Sequence, residues 1–593
     1  MERSTKALPI FFAGLLLAGF LSDLMLRAAG VDFNFEAPAG PEFSEQEKGR
    51  QRERGMQFVP TVLKAFESGS DFVRIPPGDY RFGKETWDRD GVVYPLQFRG
   101  LNRDADHPFR IIAEGVTLWF DLPPDQAPSA HFALGFVECS NLTLVGASLD
   151  RDPRGCMEGR ITQLDEAGNR IEIEASKGTL ILKNLQGGHE ERLVPFNADG
   201  TFCAALYALQ HVAPARLGYR SVESGTLPGR YWVNLSERSE LLKTNNSPEW
   251  NCAYGEAGTL QVGDGLCLIS TTTTAIGVHN CKGLRFIGVS NYITKGGVHE
   301  SGGGGGHLWK DCYFGPRPGT CQWQGSDGFL SGGMKRGSTL EGCTMLHTTD
   351  DVLNFNGSWG YIESVAGNTV TLGRVSRMPA HPGDRLSFID KQSGIPLGSA
   401  RVQSAIGQML TLDCDAAVFA NAVAENPRWQ NSGWEVRNCD FRDCYQRFLI
   451  QGSGGGMLRN CRFTRIGSGI LLDSNFFTNK EGGICHGIQV LDNIFEDVAS
   501  HPEGVALQVG FQSFNNRAGT PLVGNIIVRG NRFVNSGRRA IEFNLVSGGD
   551  ISGNTLIDSG RPRVLAGKAS PEEVLEPVRL KECIGVTVRD NRP

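Results

Sequence analysis

The chain has 593 residues, 76 of them glycine, with 21% charged residues and a formal net charge of −6. No Lys/Arg block stands out, which excludes a basic nucleic-acid surface, and the composition is not that of a disordered chain. The length exceeds one ordinary globular core and points to an architecture that grows by stacking repeats.

The N-terminus reads as an export signal over residues 1–29. Arg3 and Lys6 precede an uncharged, mostly apolar run of 15 residues, Ala7 to Leu21. That run is short for a membrane span and suits a signal core. Leu26-Arg-Ala-Ala29 offers a cleavage site, with an uncleaved anchor as the alternative. The expected location is secreted or periplasmic, and no other apolar run is long enough to span a bilayer. Residues 30–55 read as a polar linker. Residues 56–155 read as an N-terminal cap and the first coils, with a capping helix over Phe58 to Phe66.

Two stretches interrupt the regular spacing of the remaining sequence. Residues 156–240 hold Gly159-Arg-Ile-Thr-Gln-Leu-Asp-Glu-Ala-Gly-Asn-Arg-Ile-Glu-Ile-Glu174, an alternating strand, a turn and a second strand. Residues 358–425 repeat the style in Tyr361-Ile-Glu-Ser-Val-Ala-Gly-Asn-Thr-Val-Thr-Leu372. Each predicts a small antiparallel β subdomain. Coils fill 241–357 between them and 426–593 after them. The glycine run Gly302–Gly306 has no Lys-Ser/Thr after it, so it is no phosphate loop and is expected to be a flexible edge.

The repeat itself is carried by Cys312, Cys343, Cys439, Cys461, Asn493, Asn531 and Asn554, most of them followed two residues later by an apolar side chain, usually Phe. Their spacings are 31, 96, 22, 32, 38 and 23 residues. The shortest give the bare coil, and the spacing of 96 must hold an insertion. Short alternating strands at this period, without helical patterning, predict a right-handed parallel β-helix. A propeller would show a four-strand blade repeat, and none is present. Most of the 15 cysteines therefore read as buried thiols stacked coil upon coil, leaving room for about one or two disulfides.

Asp327, Asp350 and Asp351 stand apart from this structural pattern. Asp327 and Asp350 are 23 residues apart, about one coil, so the three carboxylates are expected on one surface. Neighbouring coils lie about 4.8 Å apart, which places carboxylates roughly 5–9 Å from one another. Glycosidases use paired acids at about 5–5.5 Å when retaining and about 6.5–9.5 Å when inverting. Like charges at this range raise one another's pKa, as a proton donor beside a proton acceptor requires. Asp-Gly and Asp-Asp are also ordinary turn elements, and clustered Asp oxygens suit calcium. Ser331 to Gly337 adds few further ligands for such an ion, and no cofactor or metal is expected.

The segments Ser326-Asp-Gly-Phe-Leu-Ser-Gly-Gly333 and Leu346-His-Thr-Thr-Asp-Asp-Val-Leu-Asn-Phe-Asn-Gly357 resemble glycoside hydrolase family 110. That family comprises exported β-helix α-galactosidases that cleave terminal α-1,3-linked galactose with inversion. Leu144 to Pro153, Arg447-Phe-Leu-Ile-Gln451, Ser468 to Leu472 and Glu481-Gly-Gly483 extend the similarity along the chain. The resemblance implies a galactose-containing glycan as substrate and Asp327, Asp350 and Asp351 as the catalytic acids. By analogy with polygalacturonases, Asp350 would be the general acid, with Asp327 and Asp351 positioning and activating water. The chain departs from the pattern at Leu330 and Asn356, where the family would have histidines.

Further substrate contacts are expected from Arg447, Gln451 and Glu481, with Trp323 stacking on a sugar face and His347 and Asn354 beside the acids. Each has a plainer alternative: a salt bridge for Arg447, a solvated turn for Glu481, and packing for Trp323 and His347. A polysaccharide lyase and a non-catalytic glycan-binding scaffold are the competing functions. Three carboxylates would repel the uronate that a lyase needs.

Overall fold

A tight bend recurs in nearly every coil, and the residue types around it explain the repeat. Asn280, Asp311, Asn438, Asn460 and Asp492 adopt φ of 52–56°, and Gly342, Gly530 and Gly553 adopt 63–69°. Asn, Asp and Gly enter this left-handed region at least cost. The next residue in each case is the Cys or Asn of the repeat, turned inward. The computed structural model describes residues 42–593 apart from 84–93, 122–130, 153–154, 178, 180–191, 197, 199–218, 236–260, 270–272, 294–295, 321, 374–377, 392, 453, 474–481, 483, 500–503, 511–522, 537–538 and 560–575. The expected signal segment and Glu481 lie outside the described residues.

Three parallel sheets wind round one core, giving a right-handed parallel β-helix. Among the described residues, the first face has twelve strands, from Phe72–Arg74 to Ile584–Arg589. The second has eleven, from Gly78–Phe82 to Thr555–Ile557, and the third eleven, from Leu96–Arg99 to Val578–Lys581. Along the interior, like side chains stack on like. Phe441, Phe463, Phe495 and Phe533 form a column with centroids 4.9, 4.9 and 4.6 Å apart.

Beside this column runs a ladder whose chemistry changes along the axis. Cys439 N–H donates to Cys461 Sγ at 3.4 Å, and Cys461 N–H donates to Asn493 Oδ1 at 2.9 Å. From there the rungs are amides: Asn493 Nδ2 donates to Asn531 Oδ1 at 2.9 Å, and Asn531 Nδ2 to Asn554 Oδ1 at 3.0 Å. Every described cysteine is a free thiol, so among the described residues no disulfide supports the fold. Replacing Asn493 with Ala strands the Cys461 N–H and the Leu458 carbonyl, which Asn493 Nδ2 reaches at 3.1 Å. The expected loss is about 1–3 kcal/mol for each stranded group. Asn493→Cys should be milder, because Cys461 fills the same place one rung earlier. Urea denaturation midpoints of the two variants check this order.

The N-terminal end is closed by the helix Glu45–Glu67. Its start overturns part of the expected linker 30–55. Ser44 and Glu47 form a capping box, with Ser44 Oγ accepting from Glu47 N and Glu47 reaching back to the Ser44 N–H. Phe58 on its inner face meets Tyr80 and Phe82 edge-on at 5.6 and 5.8 Å. Gly55 is required there, since a Cβ would stand 2.1 Å from the Arg81 carbonyl oxygen. Among the described residues, no helix is long and apolar enough to cross a membrane.

The first inserted subdomain is, among the described residues, a six-stranded antiparallel sheet that reaches past the expected boundary at 240. Its strand Gly265–Ile269 pairs with both Arg192–Phe196 and Cys156–Asp165. The second is a closed six-stranded barrel from Trp359 to Glu425 with its own core around Phe388, Phe419 and Leu410. The first leaves the helix just before the third face and the barrel leaves just after it, so the two flank that face.

Gly302–Gly306 is not the loose edge expected. Gly305 bridges Lys282 and Arg336 on neighbouring coils, and a Cβ on it would lie 2.0 Å from the Arg336 carbonyl oxygen. These glycines let adjacent turns close on one another.

Candidate active site

The acids sit where the chain enters the third face. Strand Phe329–Gly332 pairs with Leu353–Asn356 in a register of 24, Phe329 opposite Leu353. The bridge Gln324–Thr348 has the same offset on the other side of the acids. Asp327 is therefore in register with Asp351, and Asp350 lies one position back. The 23-residue spacing placed the three acids on neighbouring coils, and the register of 24 sets Asp351 opposite Asp327. Gly328 N–H donates to the Asp351 carbonyl at 2.9 Å. A Cβ on Gly328 would stand 2.7 Å from the Val352 carbonyl oxygen, so the Asp-Gly pair is needed for the coils to meet here.

One oxygen from each of Asp327, Asp350 and Asp351 lies within 4.8 Å of the other two. Asp327 and Asp350 are half-buried, whereas Asp351 is 6% exposed. Arg447, from the next coil, places its Nε 3.4 Å from Asp351 Oδ1. Asn354 Nδ2 approaches Asp351 Oδ2 at 3.4 Å and its Oδ1 accepts from Asn356 Nδ2 at 3.3 Å. Asp350 Oδ1 accepts from the Asp351 N–H at 3.2 Å. The arrangement is one buried, held carboxylate beside two that solvent and a ligand can reach.

Oxygen donors so gathered also suit a hard cation. The guanidinium of Arg447 already sets a positive charge against Asp351, and no further carboxylate, His or Cys joins this group among the described residues. One oxygen from each acid within 4.8 Å of the others is closer than the about 5–5.5 Å between the carboxyl groups of retaining pairs or the about 6.5–9.5 Å of inverting pairs.

The remaining expected contacts divide. Arg447 is at the acids, in its salt-bridge role. Asn354 is 2% exposed and stands behind Asp351, so it orients the acid instead of meeting a sugar. Asn356, at one of the two departures from the family pattern, is its partner in that task. Leu330, the other departure, is in register with Asn354 and half-buried. Gln451 is in register with Asn356 on the following coil.

Trp323 and His347 are corrected. Trp323 is fully buried, stacked on His347 at 4.6 Å and 11°, with Tyr445 edge-on at 5.2 Å. It packs with Cys156, Val194, Phe196 and Ile269 of the first inserted sheet. Its ring joins that sheet to the helix and offers no face to a sugar. Burial holds the His347 imidazole below its usual pKa, and Nδ1 donates to the Gln322 carbonyl at 3.2 Å. Tyr445, which sequence reasoning missed, completes the joint by donating from its hydroxyl to the Pro195 carbonyl at 3.0 Å. Its place two residues before Arg447 was the available signal.

Sequence reasoning also missed Glu300, which points into the core one coil before the acids. It accepts hydrogen bonds from Trp309 Nε1 at 2.8 Å and Ser338 Oγ at 2.6 Å. Burial pushes its carboxyl up to about 7 against those bonds.

Residues 419–557 match the family described as Right handed beta helix region. No curated protein matches the chain. Among solved structures, the A-module of a mannuronan C-5 epimerase from Azotobacter vinelandii is similar at 10% identity and a TM-score of 0.36, over 90% of this chain and 92% of that one. A polygalacturonase from Erwinia carotovora is similar at 11% identity and 0.32, over 90% and 91%. A family 28 exopolygalacturonase from Yersinia enterocolitica is similar at 10% and 0.31, over 90% and 75%. The likeness at this level is one of fold.

Proposed function

We propose that the chain is an exported glycoside hydrolase that removes terminal α-linked galactose from glycans. The observation that carries this reading is the convergence of Asp327, Asp350 and Asp351 on adjacent coils, their oxygens within 4.8 Å of one another. The sequence resemblance to glycoside hydrolase family 110 supplies the sugar and the inverting outcome. Hydrolysis needs one carboxylic acid to protonate the leaving oxygen and a carboxylate to take a proton from water. Asp350, half-buried and open to ligand, is assigned the first role. Asp351, held by Arg447 and Asn354, shares the second with its register partner Asp327. No cofactor enters this chemistry.

The substitutions at Leu330 and Asn356 bear on which galactoside is taken. Leu330 puts an apolar side chain where a hydrogen-bonding one would grip a hydroxyl, and Asn356 is engaged with Asn354. A panel of α- and β-galactosides, with released galactose measured, tests the reading. Release from α-linked substrates alone supports it. Release from β-linked substrates alone, or products carrying a double bond, would replace it.

A further inference from the structure

A groove on the barrel has none of the three acids in its lining. The groove there has a volume of about 430 Å³ and is lined by Asp384, Arg385, Ser387, Ser399, Asn426 and Arg428 among others. Two guanidinium groups in it are held from behind. Arg428 Nη1 bonds Asp384 Oδ1 at 3.0 Å, while the Arg428 side chain remains 59% exposed. Asp384 is 1% exposed at its side chain, and its Oδ2 also accepts from Asn426 Nδ2 and His381 N, each at 3.0 Å. Arg385 Nε donates to Ser399 Oγ at 2.8 Å, and its residue is exposed. Each arginine thus uses part of its fork on the protein and turns the rest towards solvent.

Anchored forks of this kind match the planar or tetrahedral oxygens of carboxylates and sulfates. Two guanidiniums against one buried carboxylate leave a local positive excess on a chain whose formal net charge is −6. The volume is far larger than a single oxyanion needs, and the half-buried Ser387 hydroxyl in the lining suits a sugar hydroxyl. We infer that this groove binds an acidic saccharide, with Arg385 and Arg428 on its anionic group. The site is independent of the acids and would tether or select glycans that carry charge.

Calorimetric titration of the full chain tests the site with four probes: a galacturonate oligomer, a sulfated galactose oligosaccharide, a neutral galactose oligosaccharide and inorganic sulfate. At least one acidic oligosaccharide should bind more tightly than both the neutral sugar and sulfate alone. Arg385→Ala should weaken it about tenfold or more, Arg385→Lys less, with galactoside turnover unchanged in both. Equal binding by Arg385→Ala and wild type would overturn the inference. So would no binding of either acidic probe, or inorganic sulfate binding as tightly as the oligosaccharide. Failure of galactoside turnover would count against the hydrolase reading and leave this titration standing.

Discussion

Asp350→Asn is expected to lower galactoside turnover by about 10²–10⁴-fold, the usual contribution of a positioned general acid, with little change in thermal stability. The side chain is half-buried, and its Oδ1 accepts from the adjacent Asp351 N–H at 3.2 Å. An amide oxygen can keep that bond but cannot give a proton to a leaving group. Asp327→Asn and Asp351→Asn should be comparably inactive. Combining either with Asp350→Asn should add little, because groups that act as one unit are not additive. Asp351→Asn differs in one respect. It removes the charge opposite Arg447 at 3.4 Å, so a measurable loss of stability should accompany its loss of activity. Turnover and melting temperature, read together on the three variants, separate these expectations. Full activity in any of them would remove that residue from the mechanism.

Glu300 should make stability fall as pH rises from about 4.5 to 7. Its carboxyl, enclosed with Trp309 and Ser338, is pushed up to about 7 from an ordinary 4.5. Through that window the folded chain holds a proton which the unfolded chain has released, so raising the pH favours unfolding. Stability from this group is fully present below the unfolded value and is lost by about 7, a total of about 3 kcal/mol. Glu300→Gln keeps the shape and the acceptor for Trp309, and has no proton to lose. The variant should therefore be more stable than wild type at pH 8. Glu425 is likewise buried and raised to about 7, so some slope will remain in the variant. The difference between the two denaturation curves is the informative quantity. Parallel curves across pH 4.5 to 7 would contradict this role for Glu300.

The solenoid was legible because its signal is local and repeated. A left-handed Asn, Asp or Gly, an inward Cys or Asn and then an apolar strand residue recur in nearly every coil. The acids were legible for the same reason, since their spacing is one coil. Their pairing was not. A spacing of 23 and a register of 24 differ by the one residue that decides whether Asp350 or Asp351 faces Asp327, and only the hydrogen-bonded strands set it.

Non-local packing hid the rest. Trp323 reads as a sugar platform until the first inserted sheet closes over it. Strand Gly265–Ile269 belongs to that sheet through partners about 70 and 110 residues earlier in the chain, a separation that periodicity cannot reveal. The start of the helix at Glu45 was a different matter. Its Ser44–Glu47 capping box is a local signal, overlooked because the polar composition around it read as linker.

The proposed activity requires the three aspartates to form one hydrolytic site. Its most direct test is a proton NMR time course on an α-1,3-galactosyl oligosaccharide, run in parallel with wild type and Asp350→Asn. The prediction is free galactose from the wild type alone, appearing first as the β anomer. Release of galactose at the same rate by both proteins, or none by the wild type, would contradict it.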